Sequence, residues 1–110
     1  MNTSSAFMLA TAEGRYFFNP SEIVRLEASS NYTRIYFTNN KKMVSAKVLK
    51  EFVSALEPFG FVRTHRTHLI NRQHILCITP EGAIIMKDAS VAAISRRMKG
   101  SVMKVLKNAA

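Results

Sequence analysis

At 110 residues, 47% of them hydrophobic, the chain has room for one compact domain with one core, and not for two. Sixteen Lys and Arg against seven Asp and Glu leave a formal net charge of +9, a field that draws in nucleic acid, an anionic membrane surface or an acidic protein. No run approaches the ~18 apolar residues of a membrane span, and a single cysteine, Cys77, excludes an internal disulfide.

Residues 1–6 are expected to form a disordered tail, as are 108–110. Ala10-Thr11-Ala12 has the look of a signal-peptidase site, but the apolar run Ala6 to Ala10 is too short and no Lys or Arg precedes it. A secretory signal is therefore rejected and a cytoplasmic location expected. Tyr16–Phe18 reads as a short strand ended by Asn19-Pro20-Ser21. Ile23–Ala28 alternates, with Val24, Leu26 and Ala28 on one side and Arg25 and Glu27 on the other. Tyr32–Thr38 alternates as well, Thr33, Ile35 and Phe37 against Tyr32, Arg34 and Tyr36. Asn39-Asn40 suits a two-residue hairpin turn, with Lys41–Ser45 as the return strand.

The period then changes. Ala46, Leu49, Val53 and Leu56 recur at helical spacing, and Pro58 and Gly60 end the helix. Strands resume at Phe61–Thr64, around His68–Ile70, at Ile75–Thr79, at Ala83–Lys87 and at Ser90–Ile94. In the third of these Cys77 reads as a small buried hydrophobe. Ser95 is placed to cap a terminal helix whose apolar stripe is Met98, Val102, Val105 and Leu106, with Gly100 a weak spot inside it. The chain is thus mainly β with two helices.

Catalysis finds little to work with. His65-x-x-His68 suggests a metal pair, yet no Asp or Glu lies within six residues of it, and on one strand that spacing puts the rings on opposite faces. A metal site wants three or four converging ligands. No catalytic residue, metal or cofactor is expected; a metal-dependent nuclease is a minor alternative.

Three polar segments stand out instead. Ser29-Ser30-Asn31-Tyr32-Thr33-Arg34, read as a loop, supplies hydroxyl and amide groups of the kind that meet phosphates and base edges. Arg63-Thr64-His65-Arg66-Thr67-His68, running on to Asn71-Arg72, is basic with no acid to neutralise it. Ser95-Arg96-Arg97 puts two cations where a helix start would favour acids, which makes sense if an anion bridges guanidinium groups and free N–H groups there.

Taken in order, Glu27-Ala28-Ser29-Ser30-Asn31-Tyr32, Phe61-x-Arg63-x-His65-Arg66-Thr67-x-Leu69-Ile70-Asn71 and Ile94-Ser95-Arg96-Arg97 resemble the LytTR DNA-binding domain, the output half of many bacterial response regulators. The resemblance spans roughly residues 7–107. It implies an elongated stack of small antiparallel sheets with short helices, whose loops enter successive major grooves and cross the minor groove between them. By position it implies that Ser30, Asn31 and Thr33 form one groove-reading loop, that Arg66 with His65 and Thr67 makes the middle contact, and that Arg96 with Ser95 and Arg97 forms the second reading site. Asn71 falls on a motif position read as structural at least as readily as DNA-contacting. Many members have Gly where this chain has Ser30.

The resemblance also implies double-stranded DNA as partner, at paired direct repeats with two protomers per site, in a bacterial transcription regulator. A homodimer or a regulatory protein partner is a further expectation. No receiver domain precedes residue 7, so the chain reads as a free-standing regulator or an excised output domain, the former more readily given the start at Met1. The competing class is a basic protein-interaction or anionic-surface-binding module without base specificity. No basic amphipathic helix with exposed aromatics favours a membrane.

Overall fold

The computed structural model describes residues 7–107, so the expected tails lie outside the described residues. Ten strands form three antiparallel sheets: β1 (Phe7–Thr11) with β2 (Gly14–Phe18); a central five-stranded sheet; and a three-stranded sheet. The central sheet holds β3 (Ile23–Ser29), β4 (Tyr32–Phe37), β5 (Lys42–Ser45), β6 (Phe61–His65) and β7 (His68–Asn71), in the order β5-β4-β3-β7-β6. The smaller one joins β8 (Ile75–Ile78), β9 (Ala83–Met86) and β10 (Val91–Ala93), in the order β10-β9-β8. Two helices complete the fold, α1 (Lys50–Leu56) and α2 (Lys99–Lys107).

Instead of one core there are two hydrophobic clusters, with the central sheet as their shared wall. Leu26, Ile35, Phe37 and Leu69 point to one face and pack with Leu9 of β1 and with Phe52 and Leu56 of α1. Val24 and Ile70 point to the other and pack with Ile84, Met86 and Ala92 of the smaller sheet, with Leu106 of α2 against them. A strand covered on both faces must bury consecutive residues, and β7 does so with Leu69 and Ile70.

A bulge in β3 explains one departure from the sequence pattern. Ile23 pairs with Phe37 but Arg25 with Tyr36, so Val24 is the extra residue. Ile23 and Leu26 therefore share a face, while Val24, expected beside Leu26, goes to the opposite cluster. β1 has no counterpart among the expected strands; it pairs with β2 from Phe7↔Phe18 to Thr11↔Gly14. The Asn39-Asn40 turn is a three-residue loop, because Phe37 N–H donates to the Lys41 carbonyl at 2.9 Å, and Asn40 sits at φ 66°.

α1 is shorter than its periodicity suggests. Ala46 is exposed ahead of the helix, and the Thr33 hydroxyl donates to the Lys47 carbonyl at 2.7 Å, holding that stretch outside helical geometry. A 3-10 turn through Pro58 follows α1, and Gly60 at φ 92° closes it. In α2, Val102 is buried and Leu106 packs inward, while Arg72 Nη2 donates to the Val105 carbonyl at 2.6 Å. A cation there complements the partial negative charge of a helix C-terminus.

Cys77 is exposed, contrary to the buried role expected of it. β8 is an edge strand with a register shift between Ile75 and Cys77, so Leu76 and Cys77 both stand in solvent.

Candidate nucleic-acid interface

The register of the central sheet gathers segments that are distant in the chain. The β3–β4 connection is a two-residue tip, Ser30-Asn31, flanked by the pair Ser29↔Tyr32. The β6–β7 connection is another, Arg66-Thr67, flanked by His65↔His68. Because Glu27 pairs with His68, and Ala28 N–H donates to the Thr67 carbonyl at 2.9 Å, both tips emerge at the same end of the sheet. Two strand spacings separate their centres, roughly 10 Å.

The third segment is pinned alongside. Thr64, buried near the end of β6, donates from Oγ1 to the Ala93 carbonyl at 2.9 Å and accepts at its own carbonyl from Ser95 N–H at 2.8 Å. These bonds bring the chain leaving β10 next to the residue before His65. Ser95 Oγ then accepts from Met98 N–H at 3.0 Å, closing a turn through Arg96 and Arg97, both exposed. Ser95 thus caps this turn and not the helix, which begins only at Lys99. The two arginines precede α2, so the expected convergence with its free N–H groups is replaced by a cationic turn, which escapes most of the dipole penalty.

Local bonds shape each tip. Ser30 takes φ 55°, the left-handed conformation that glycine adopts without cost; the serine therefore preserves the turn that a glycine would make. Asn31 is exposed. At the other tip, Arg63 Nη2 donates to the Arg66 carbonyl at 2.7 Å and leaves the Arg66 side chain exposed. Thr67 N–H donates to His65 Nδ1 at 3.1 Å, so the neutral ring carries its proton on Nε2. His65 and Thr67 are half-buried beside it.

Two expected contact residues fall out of the interface. Thr33 is 0% exposed, because it lies on the core-facing side of β4 with Ile35 and Phe37. Asn71 is 1% exposed; its Nδ2 donates to the Ile23 carbonyl at 2.9 Å and its Oδ1 accepts from Gln73 N–H at 3.0 Å. Neither presents surface to a ligand. Nor are His65 and His68 on opposite faces: the chain reverses between them, and their rings meet edge-on with centroids 5.6 Å apart. Among the described residues no group of three or more His, Cys, Asp or Glu is placed to hold a metal ion.

Other features have no signal in the sequence. Lys47, expected on a helix, is exposed just beyond Ser45, whose partner is Thr33, and so joins the same end of the sheet. Arg25, expected on an outward face, is 8% exposed because the smaller sheet covers that side. Its Nε donates to Ser90 Oγ at 3.1 Å, its Nη1 to Glu27 Oε1 at 3.0 Å, and its guanidinium lies 4.0 Å from the Tyr36 ring centroid. That ties the β9–β10 turn, and through β10 the Ser95 segment, to the central sheet. The two-residue spacing of Arg25 and Glu27 indicates that they share a face; nothing local indicates that the face is covered.

This network sets a pH dependence. Burial raises the Glu27 pKa, but hydrogen bonding and charge from Arg25, helped by His68 and Tyr36, outweigh it and hold the carboxyl below its ordinary 4.5. Burial lowers His68 from its ordinary 6.5; Glu27 opposes that shift, and Arg25 and His65 add to it. Below pH 6.5 the unfolded chain takes up the His68 proton more readily than the folded one, so folding loses stability as pH falls through that range. Glu27 contributes stability present above pH 4.5 and lost as pH falls through its lower folded value. Thermal melts between pH 7.5 and 5 should show Tm falling with acidification, and His68→Gln should flatten that slope. An unchanged slope in the variant would mean that another group carries it.

The family model of the LytTr DNA-binding domain matches residues 13–107. Among solved structures, the LytTr DNA-binding domain of a putative methyl-accepting/DNA response regulator from Bacillus cereus has a similar fold. The TM-score is 0.80 at 24% identity, covering 93% of this chain and 96% of that one. No curated protein sequence matches. Among the described residues no helix is long and apolar enough to cross a membrane.

Proposed function

The chain belongs to the LytTr DNA-binding domain family, and from that membership we propose that it is a transcription regulator that reads double-stranded DNA through loops inserted into the grooves. The Ser30-Asn31 tip enters one major groove. Arg66, with His65 and Thr67, crosses the minor groove, and Arg96 and Arg97 enter the next major groove with Ser95 shaping their turn. Arginine pairs bidentately with guanine in the major groove, and a cation suits the negative potential of a narrow minor groove. His65 offers an Nε2–H donor beside Arg66. Lys47 and Arg97 supply phosphate contacts that fix register without reading sequence. Two protomers occupy paired direct repeats.

The observation that carries this reading is the gathering of Ser30, Asn31, Arg66, Arg96 and Arg97, all exposed, at one end of the fold by the Ala28–Thr67 and Ser95–Thr64 main-chain bonds. No acid lies within any of the three segments to cancel their charge. Selection from randomised duplexes followed by gel shift tests it. A preferred site should emerge, and log affinity should fall with log salt at a slope of about −3 to −4 per protomer, the signature of about four counterions released by Lys47, Arg66, Arg96 and Arg97. Equal affinity for selected and random duplexes would refute base reading while leaving DNA binding intact.

A further inference from the structure

Along the β5 edge of the central sheet lies a groove of about 500 Å³ between that strand and the β1–β2 hairpin. We propose that it docks a short extended segment of a partner protein, carrying alternating apolar and acidic side chains, that adds to β5 as a further strand. The inference does not rest on the base-reading proposal.

The backbone supplies the first argument. Phe37 N–H bonds to the Lys41 carbonyl, and antiparallel pairs alternate between bonded and non-bonded, so Ile35↔Met43 and Thr33↔Ser45 are bonded pairs. Lys42 and Val44 therefore turn their N–H and C=O groups away from β4. β5 is the sheet edge, and none of the hydrogen bonds outside the sheets among the described residues reaches those groups. An open row of main-chain donors and acceptors beside a groove is what strand addition uses.

The side chains supply the second. Tyr16, Phe18 and Met43 give the groove an apolar wall, and the Tyr16 and Phe18 rings stack at 6.4 Å. Of the large apolar side chains that stand exposed among the described residues, Tyr16 and Val44 line the groove, and Tyr32 stands next to Val44 just outside it. Lys41 and Lys42 flank the opening against a single acid, Glu13.

Charge then chooses the occupant. A second copy would bring +9 against +9 and lysines against lysines, whereas an acidic segment meets complementary charge. Lys42 pairs with Tyr36 and Val44 with Arg34, so the Lys42 end of the groove stands five residues of β4 beyond Asn31, roughly 17 Å, and the Val44 end three, roughly 10 Å.

The probe is a blocked hexapeptide, Thr-Glu-Val-Glu-Val-Thr, titrated into isotope-labelled protein and followed by amide NMR. Controls replace Glu by Lys or N-methylate alternate amides. Shifts and slowed amide exchange should concentrate at Lys42 and Val44, with Tyr16 and Phe18 moving too. The Lys peptide should bind at least about fivefold more weakly, and so should the acidic peptide to the Lys41→Glu/Lys42→Glu protein; the N-methylated peptide should not bind. Retained DNA gel shift by that variant certifies its fold. The proposal is overturned by shifts centred on Arg66 and Arg96, by indifference to N-methylation, or by absence of binding at millimolar peptide. Concentration-dependent shifts of Lys42 and Val44 without peptide would assign the groove to a second copy and overturn it equally.

Discussion

Arg96→Ala should weaken binding to the selected DNA site by roughly 1–3 kcal/mol, about 5- to 150-fold, while binding to random duplex falls far less. Arg66→Ala should act in the same direction. The expectation follows from placement: both side chains are exposed, and both stand on turns whose backbones are held by other bonds. Arg63 supports the Arg66 carbonyl, and Ser95 closes the Arg96 turn with its own hydroxyl. Truncating either arginine therefore removes a contact without loosening the loop. A reader changes the ratio of specific to random affinity; a phosphate clamp lowers both alike and reduces the salt slope by about one unit. Gel shifts on both duplexes at several salt concentrations separate the two, and equal losses would reassign that arginine to the backbone.

Asn71→Ala should cost about 2–4 kcal/mol of folding free energy, a fall in Tm on the order of 10–20 °C. The alanine leaves the Ile23 carbonyl and the Gln73 N–H without their side-chain partner in a site that is 1% exposed. The Ile23 bond is buried and the Gln73 bond part-buried, so the carbonyl carries most of the desolvation cost. DNA affinity measured well below the lowered Tm should remain within about threefold, since the loss is one of folding stability and not of contact. Normal melting with abolished DNA binding would instead make Asn71 a ligand-facing residue. Through its bond to the Ile23 carbonyl, Asn71 staples the end of β7 to the start of β3.

Periodicity makes much of the sheet legible. Tyr32–Phe37 alternates without interruption and buries Thr33, Ile35 and Phe37, as its pattern implies. Motif and periodicity point opposite ways for Thr33, and the periodicity is the better physical guide: a residue on the buried side of a strand cannot also touch a groove. Val24 departs from its expected face because a bulge adds one residue and inverts the alternation around it, an event with no local sign here. Leu76 and Cys77 depart from theirs because an apolar run looks alike whether its strand is central or at an edge. Arg25 is hidden for a related reason: burial of a strand's second face depends on a sheet formed more than fifty residues later. The convergence of three polar segments follows from the family resemblance alone. Cross-strand register is a property of pairs of strands, and no single segment encodes it.

The neighbours Leu69 and Ile70 each anchor a different hydrophobic cluster. One short strand is thus a common partition, and neither half of the molecule can melt while the other stays folded without exposing it. The two halves are therefore expected to unfold together, in one transition seen alike by probes of either cluster. A push on either sheet is likewise expected to be felt by both clusters, because the strand between them cannot shift toward one without unpacking from the other.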